Sequence, residues 1–381
     1  MNILIVSDGV PKVDRKMMGL FAFDQAKALA TKGHNVCVAA INLRSFRYKR
    51  KYGFTKFVRD GVKVYEYSLP VGGVPFSLYQ HIACRCLGFL YKKIIKDGNK
   101  PDVVHAHFFD MICCAANVKK KFGYQLVGTE HFSKFINKDF EKRSQLIKRA
   151  SKCYKNVDRL FAVSNILADV TRTECQKETY VVHNIVDCNT FTASERKVRH
   201  GRIKFVSVCR LSEEKNFSLL IDAFSEACKI RQDICLEIYG AGELKDSLED
   251  QIKANSVSNN IKLCGFADRA KIAANFKSTD CFVLLSSHET FGVVYIEALA
   301  SGVPVIATRC GGPEDFVSEE NGILVDCNSK EQALAAILKM CDCCGNYNAQ
   351  SISEDIKRRF SPDTIASQLE QHYQFIVEKN Q

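Results

Sequence analysis

No apolar run in the sequence approaches the ~18–20 residues needed to cross a bilayer. The opening segment, Met1 to Asp8, lacks a basic n-region, and its apolar run is too short for a signal peptide. The sequence therefore predicts a chain that stays in the cytosol. A zinc site is also missing. Cys341 and Cys344 have C-x-x-C spacing, but no second knuckle or nearby His completes it. The 18 cysteines read as reduced thiols serving as small apolar residues. With 46% hydrophobic and 25% charged residues, the chain can bury substantial cores, which excludes disorder as its main character. At ~100–200 residues per domain, the length suggests two domains or three.

The net charge of +11 is unevenly spread. Residues 1–196 hold 33 basic and 17 acidic side chains, a net of +16, and the remainder holds 21 and 26, a net of −5. The first half is thus expected to meet something anionic, such as nucleic acid or a membrane surface. No nucleic-acid module accompanies the charge, so nucleic acid is not expected.

Short apolar runs alternate with amphipathic helical patterns along the whole chain. In the first half the strand candidates are Ile3–Val6, Asn35–Ala40, Val103–His107, Gln125–Thr129, Arg159–Val163 and Thr179–His183, with a helix over Leu20–Lys32. Thr192–Arg202 is polar and is the best linker candidate. Six further strands follow, with helices at Phe217–Ile230, Glu243–Ala254, Arg269–Phe276, Val293–Ser301 and Lys330–Cys341. This alternation implies α/β architecture: two doubly wound, Rossmann-like parallel-sheet domains. The expected division is 1–196, 197–361 and a terminal helix, 362–381, that can pack on either domain and could cross back to the first.

The densest signal runs from Ser287 to Pro304. A strand ends, a loop carries Glu289 and Gly292, and a helix starts near Val293. The free amides and positive dipole end of such a start suit an anion. Glu289 and Glu297 lie eight positions apart, so both carboxylates can accept bonds from vicinal hydroxyls in one crevice. Upstream, Arg210 follows a strand and Lys215 precedes a helix, where two cations can oppose a diphosphate. The bland readings are a capped surface helix, and surface ion pairs to Glu213 or Glu214. The Gly240-x-Gly242 turn lacks the third glycine of a dinucleotide fingerprint, because Lys245 stands there. His105 and His107 alternate along one strand. Without a third ligand they read as a satisfied strand-end pair.

The second half resembles the nucleotide-sugar domain of the family 4 retaining glycosyltransferases, which have the GT-B fold. The resemblance rests on the Glu289–Glu297 segment, Arg210 with Lys215, Gly240-Ala-Gly242-Glu243, Val303 to Thr308, Gly311-Gly312-Pro-Glu, and Asn321-Gly-Ile-Leu-Val. The first half is similar more loosely, through Gly19, Gly33-His34, Asp102 to His107, Glu130-His131, Val163-Ser164 and His183-Asn184-Ile-Val-Asp187. The loop before Gly19, from Val10-Pro11 to Met17-Met18, departs from the paired glycines common in the family.

The resemblance implies two domains facing each other across a cleft, and it assigns roles. Arg210 and Lys215 would bind the donor diphosphate, Glu297 the ribose hydroxyls, and Glu289 the transferred sugar. Backbone amides of Phe291, Gly292 and Val293 would hold sugar hydroxyls and phosphate. Gly240 and Phe266 would lie near the base of a UDP- or GDP-sugar, and Gly19 near the phosphates and acceptor. His131 would reach the sugar from the first domain. Sugar choice would depend on the shape around Glu289 and Phe291. The implied reaction moves a hexosyl group with retention, by a front-face route in which Glu289 and His131 stabilise the sugar without a covalent bond. No Asp lies two positions from another Asp, so the metal-binding Asp-x-Asp of the other large transferase fold is absent and neither a metal nor a cofactor is expected.

The acceptor is read from the first half. Arg44 to Tyr52 is basic and aromatic, and Phe76–Lys96 is an apolar helix with a basic end. Together they suggest an interfacial surface and a polyprenyl-linked saccharide acceptor in surface polysaccharide synthesis, with the protein peripheral on the inner face of the cell membrane. A solvated loop and a core helix is the equal alternative. A nucleotide-sugar epimerase of similar fold, which would act on donor alone, and a non-catalytic nucleotide-sugar-binding paralogue are the other functional readings. The intact charged set weighs against the second.

Overall fold

The structure is a computed structural model, and it describes residues 1–12, 17–48, 50–194 and 201–379. The chain forms two compact units, Met1–Ile185 with Pro362–Gln381, and Val186–Ser361. The expected boundary at 196/197, and residues 195–200 of the polar stretch, lie outside the described residues. The second unit takes up the chain earlier than expected. The amide of Val186 bonds the carbonyl of Phe360, and Phe191 is buried against Phe276.

The first unit has strands β1 (Asn2–Ser7), β2 (Asn35–Asn42), β3 (Gly53–Arg59), β4 (Val62–Ser68), β5 (Val103–His107), β6 (Gln125–Glu130), β7 (Arg159–Ala162) and β8 (Thr179–Val181). Their order is β3-β4-β2-β1-β5-β6-β7-β8. All neighbours are parallel except the antiparallel pair β3 and β4. Helices α1 (Leu20–Thr31), α2 (Phe76–Lys96), α3 (Phe108–Phe122), α4 (Arg143–Tyr154) and α5 (Asn165–Thr173) flank the sheet in sequence. The central strands are buried on both faces, so they read as continuous apolar runs. In α2, Ala83, Cys86, Leu87, Leu90, Tyr91 and Ile94 form a buried stripe at helical spacing, while Leu78, Phe89 and Ile95 stay exposed.

Arg44–Tyr52 corrects part of the expected interfacial surface. The Arg50 guanidinium donates to Ser68 Oγ and to the carbonyls of Arg44, Ser45, Tyr48 and Leu69, and Arg44 Nε donates to Asn42 Oδ1. These two cations are spent on holding the β2–β3 connection. All three of the stretch's aromatics, Phe46, Tyr48 and Tyr52, remain exposed.

The second unit has β9 (Ile203–Val208), β10 (Ile234–Tyr239), β11 (Ile261–Gly265), β12 (Cys281–Leu284), β13 (Val305–Thr308) and β14 (Gly322–Val325), all parallel in the order β11-β10-β9-β12-β13-β14. Its helices are α6 (Phe217–Ile230), α7 (Lys245–Ala254), α8 (Arg269–Phe276), α9 (Val293–Ala300), α10 (Lys330–Cys343) and α11 (Ala349–Phe360). Strand order reverses between β9 and β12, and in the first unit between β1 and β5. Ligands of open α/β sheets bind beyond the carboxyl ends of the strands at such points.

The last helix, α12 (Pro362–Glu378), belongs to the first unit. Ile365, Ala366, Leu369, Tyr373 and Ile376 join the buried cluster that α1, β1 and β2 build. Burying each large apolar side chain stabilises by roughly 1.5–3 kcal/mol. Lys32 pairs with Asp363 at 2.9 Å at the edge of this contact.

Candidate functional site

In the second unit, the loop after β9 carries Arg210 and ends in a 3-10 turn, Glu213–Lys215, before α6. The loop after β12 carries Glu289 and enters α9 through Gly292, which has φ 88°. A Cβ on Gly292 would lie 2.6 Å from Tyr295 Cδ2, so only glycine fits. No side chain caps α9, which leaves its first-turn amides available near Val293.

Lys215 Nζ lies 2.6 Å from Glu289 Oε2, with 14% and 15% of the two side chains exposed. Burial would lower the Lys215 pKa, but Glu289, with Cys209 and Glu214, holds the ammonium above its ordinary value. Such a contact gives about 4 kcal/mol of Coulomb energy at ~4 Å and an effective dielectric near 20, offset in part by desolvation. The backbone of Glu289 is fixed too: its carbonyl accepts from Gly312 N at 2.7 Å and its amide donates to Cys310 at 3.3 Å.

Arg210 is 67% exposed and pairs with Glu243 at 3.1 Å. An exposed pair of this kind contributes ~0–1 kcal/mol, so the guanidinium can turn to an anion at little cost. The bland alternative of ion pairs to Glu213 or Glu214 is not what either cation forms: Arg210 pairs with Glu243 and Lys215 with Glu289. Gly240 and Gly242 let the β10 loop lie flush on the β9 loop. Added Cβ atoms would sit 1.9 Å from the Cys209 carbonyl oxygen and 2.1 Å from that of Leu211. Phe266, after β11, is 64% exposed.

Glu297 is buried in α9, and its Oε1 accepts from Arg269 Nε at 2.9 Å. Sequence reasoning did not single out Arg269, whose only local signal is its place at the start of α8. The Phe291 ring is 1% exposed and packs on Phe316 and Phe360, which leaves the backbone, the part expected to act, as what Phe291 can offer a ligand. Gly312 keeps that backbone close, since a Cβ there would lie 2.3 Å from Phe291 Cα.

In the first unit, Gly19 starts α1 with φ 62°, and a Cβ on it would meet the Gly9 carbonyl oxygen at 2.1 Å. Residues 13–16 of the intervening loop lie outside the described residues. Past β6, the buried Glu130 carboxylate accepts from the amides of His131 at 2.8 Å and Phe132 at 2.9 Å, and from Tyr154 Oη at 2.5 Å. Burial outweighs these bonds and pushes the Glu130 pKa up to about 7.

The His131 ring is stacked by Phe108 and Phe21, at centroid distances of 4.6 and 5.6 Å. Its Nε2 lies 3.1 Å from His107 Nδ1. Burial holds both imidazoles well toward the neutral form. His105 is satisfied, by Tyr373 Oη at 2.5 Å and Thr129 Oγ1 at 2.6 Å. His107 is not: among the described residues, its Nε2 has no partner. The reading of His105 and His107 as a satisfied pair therefore holds for His105 alone. The missed contact had a signal, since His107 pairs with Thr129 in register and His131 follows two residues on. Among the described residues, no three His, Cys, Asp or Glu side chains gather as ligands of one metal ion.

Two family models match the chain: residues 18–190 match Glycosyltransferase Family 4, and residues 190–357 match Glycosyl transferases group 1. A 2-deoxystreptamine N-acetyl-D-glucosaminyltransferase of Niallia circulans is 28% identical over 62% of this chain and 66% of its own length. A glycogen synthase of Mycobacterium tuberculosis is 26% identical over 98% and 94%. A lipopolysaccharide core biosynthesis glycosyltransferase of Rhizobium meliloti is 31% identical over 48% and 54%. Among solved structures, sucrose-phosphate synthase from Thermosynechococcus elongatus superposes with a TM-score of 0.80 at 16% identity, covering 99% of both chains. HepE of Anabaena in complex with UDP gives 0.73 at 20% identity, covering 98% of this chain and 99% of that one. At these identities the structural likeness establishes the fold.

Proposed function

The chain belongs to the group 1 glycosyltransferases and has the GT-B fold, and from that premise we propose that it moves a hexosyl group from a nucleotide-diphosphate sugar to an acceptor hydroxyl, with retention. The observation that carries this is the charged set at the β9/β12 switch point: an exposed Arg210, a shielded Lys215–Glu289 pair, and Glu297 held by Arg269. Arg210 and Lys215 take the diphosphate, with the uncapped start of α9. Glu297 takes the ribose hydroxyls, and Glu289 the transferred sugar. In this reading Gly240 and Phe266 are assigned to the base, and Gly19 to the phosphates and acceptor.

In the reaction, the bond from the anomeric carbon to the diphosphate oxygen breaks and the bond to the acceptor oxygen forms on the same face. The acceptor proton passes to the leaving phosphate. Stabilising that phosphate is the main electrostatic task, and removing one preorganised donor of this kind costs about 10²–10³-fold in rate. His131 and Glu289 orient the sugar and the Glu289 carboxylate balances its developing positive charge, with no protein nucleophile and no metal. UDP as the nucleotide is supported by the UDP and UDP-glucose complexes of HepE.

A lipid-linked saccharide is the acceptor this reading favours, with peripheral attachment to an anionic membrane. Support comes from the α2–α4 side of the first unit, where Phe76, Phe132, Lys134 and Arg149 line a groove and α2 carries no acid. No helix among the described residues is long and apolar enough to cross a membrane. A thermal-shift panel of UDP-, GDP- and ADP-sugars tests the donor, since a ligand that binds only the folded chain raises its apparent stability. An inverted product anomer by NMR would refute retention. Flotation with anionic vesicles that shows no salt-sensitive binding would remove the membrane.

A further inference from the structure

We propose that His107 is a positioning residue that fixes the tautomer of His131, so that His131 presents an N–H from Nδ1 to an oxygen of its ligand. The proposal rests on the reading of His131 as a sugar-facing group. His107 ends β5 and His131 follows β6, the adjacent parallel strand. Their rings are stacked with centroids 5.3 Å apart, and His107 Nδ1 meets His131 Nε2 at 3.1 Å.

Two neutral imidazoles in contact share one proton between the facing nitrogens. Either His107 donates from Nδ1, and His131 carries its own proton on Nδ1, or His131 donates from Nε2 and His107 carries its proton on Nε2. The two arrangements differ in where a donor is left over. His107 is 0% exposed and His131 5%, and among the described residues His107 Nε2 and His131 Nδ1 are both shut from solvent and without a partner. A sealed N–H with nothing to bond carries a full desolvation penalty, while an unpaired lone pair is better tolerated. The first arrangement puts the spare donor on His131 Nδ1, on the ring read as sugar-facing, where a ligand oxygen would satisfy it, and keeps it off the fully buried His107.

The surroundings hold His107 in this role. Its other face stacks on His105 at 4.4 Å, and His105 is locked at both nitrogens by Tyr373 and Thr129. The amide of His131 is pinned by the Glu130 carboxylate. Among the described residues, neither ring has a competing hydrogen-bond partner that would select the opposite tautomer.

The test uses the full chain labelled with ¹⁵N histidine. Long-range ¹H–¹⁵N correlation spectra should show His131 protonated at Nδ1, with a lone pair at Nε2. His107→Phe keeps the ring stack and removes the donor, so His131 should move to the Nε2–H form or a mixture. His107→Asn returns a donor near the position of Nδ1 and should restore the wild-type signature. An Nε2–H His131 in the wild-type chain, or an unchanged tautomer in His107→Phe, overturns the proposal. Turnover is read with UDP-glucose. Here kcat should fall about tenfold or more in His107→Phe with donor KM little changed, and recover in His107→Asn. A tautomer shift without a turnover change would leave the positioning in place and refute the sugar-facing role of His131.

Discussion

Lys215 and Glu289 neutralise each other at 2.6 Å, although 74 residues separate them in sequence. The pair joins the β9 and β12 loops on either side of the switch point. Replacing Lys215 with Ala removes the cation proposed to bind phosphate and strands a shielded carboxylate. Donor turnover, kcat/KM, is expected to fall by about 10²–10³. Near-native turnover of the purified Lys215→Ala chain would refute the assignment.

Glu297 reads sugar hydroxyls only if it can tell ribose from deoxyribose. The wild-type chain is expected to bind a ribonucleotide sugar about tenfold or more tighter than its 2′-deoxy counterpart, the worth of one hydrogen bond to a charged group. Glu297→Ala should abolish most of that difference. Calorimetric titration with UDP-glucose and 2′-deoxy-UDP-glucose measures it; equal discrimination in both chains would count against the role.

Gly240→Ala should destabilise the second unit by about 1–3 kcal/mol, the usual cost of forcing carbon into filled space. The added Cβ would press on the Cys209 carbonyl and shift the loop that carries Arg210. Thermal denaturation gives the first effect and donor affinity the second. Gly345→Ala, with open space around its Cβ, serves as the control.

Glu130 gives a pH dependence with a definite sign. Its folded pKa of about 7 lies above the ordinary carboxylate value, so the native state keeps a proton that the unfolded chain releases. Stability from this group is therefore greatest at low pH and falls as pH rises through the window between the two values. Glu130→Gln stays uncharged throughout. Its melting temperature relative to wild type should rise on going from about pH 5 to about pH 8, by on the order of 5 °C. A constant difference across that range would show that Glu130 is not the titrating group.

Much of the fold was legible because its signals are local. The patterns at Phe76–Lys96, Phe217–Ile230 and Arg269–Phe276 match α2, α6 and α8 to the residue. The β3–β4 hairpin was missed, though Asp60-Gly61, at φ 47° and 77°, is the expected two-residue turn between alternating strands. Its basic flank at Arg44–Tyr52 drew the reading toward a membrane. The polar helix α11 was missed because its buried stripe, Ile352, Ile356 and Phe360, is short and widely spaced.

At the site, residue identities were readable and partnerships were not. Sequence spacing offered Glu213 and Glu214 as nearby acids, whereas strand order brings Glu289 to Lys215 and a helix start brings Arg269 to Glu297. Phe291 stands in the motif, yet its ring serves the core.

The passage of α12 back to the first unit makes that unit discontinuous in sequence and the second one a single insertion within it. A stop codon placed after Ser361 would leave Arg210, Lys215, Glu289 and Glu297 in the chain yet strip the first unit of Leu369 and Tyr373, including the hydroxyl that locks His105. Residues 186–361 are therefore the piece that can be excised whole, and the N-terminal half cannot be obtained by truncation alone. It has to be rebuilt as a fusion in which a short linker carries the chain from Ile185 directly to Pro362.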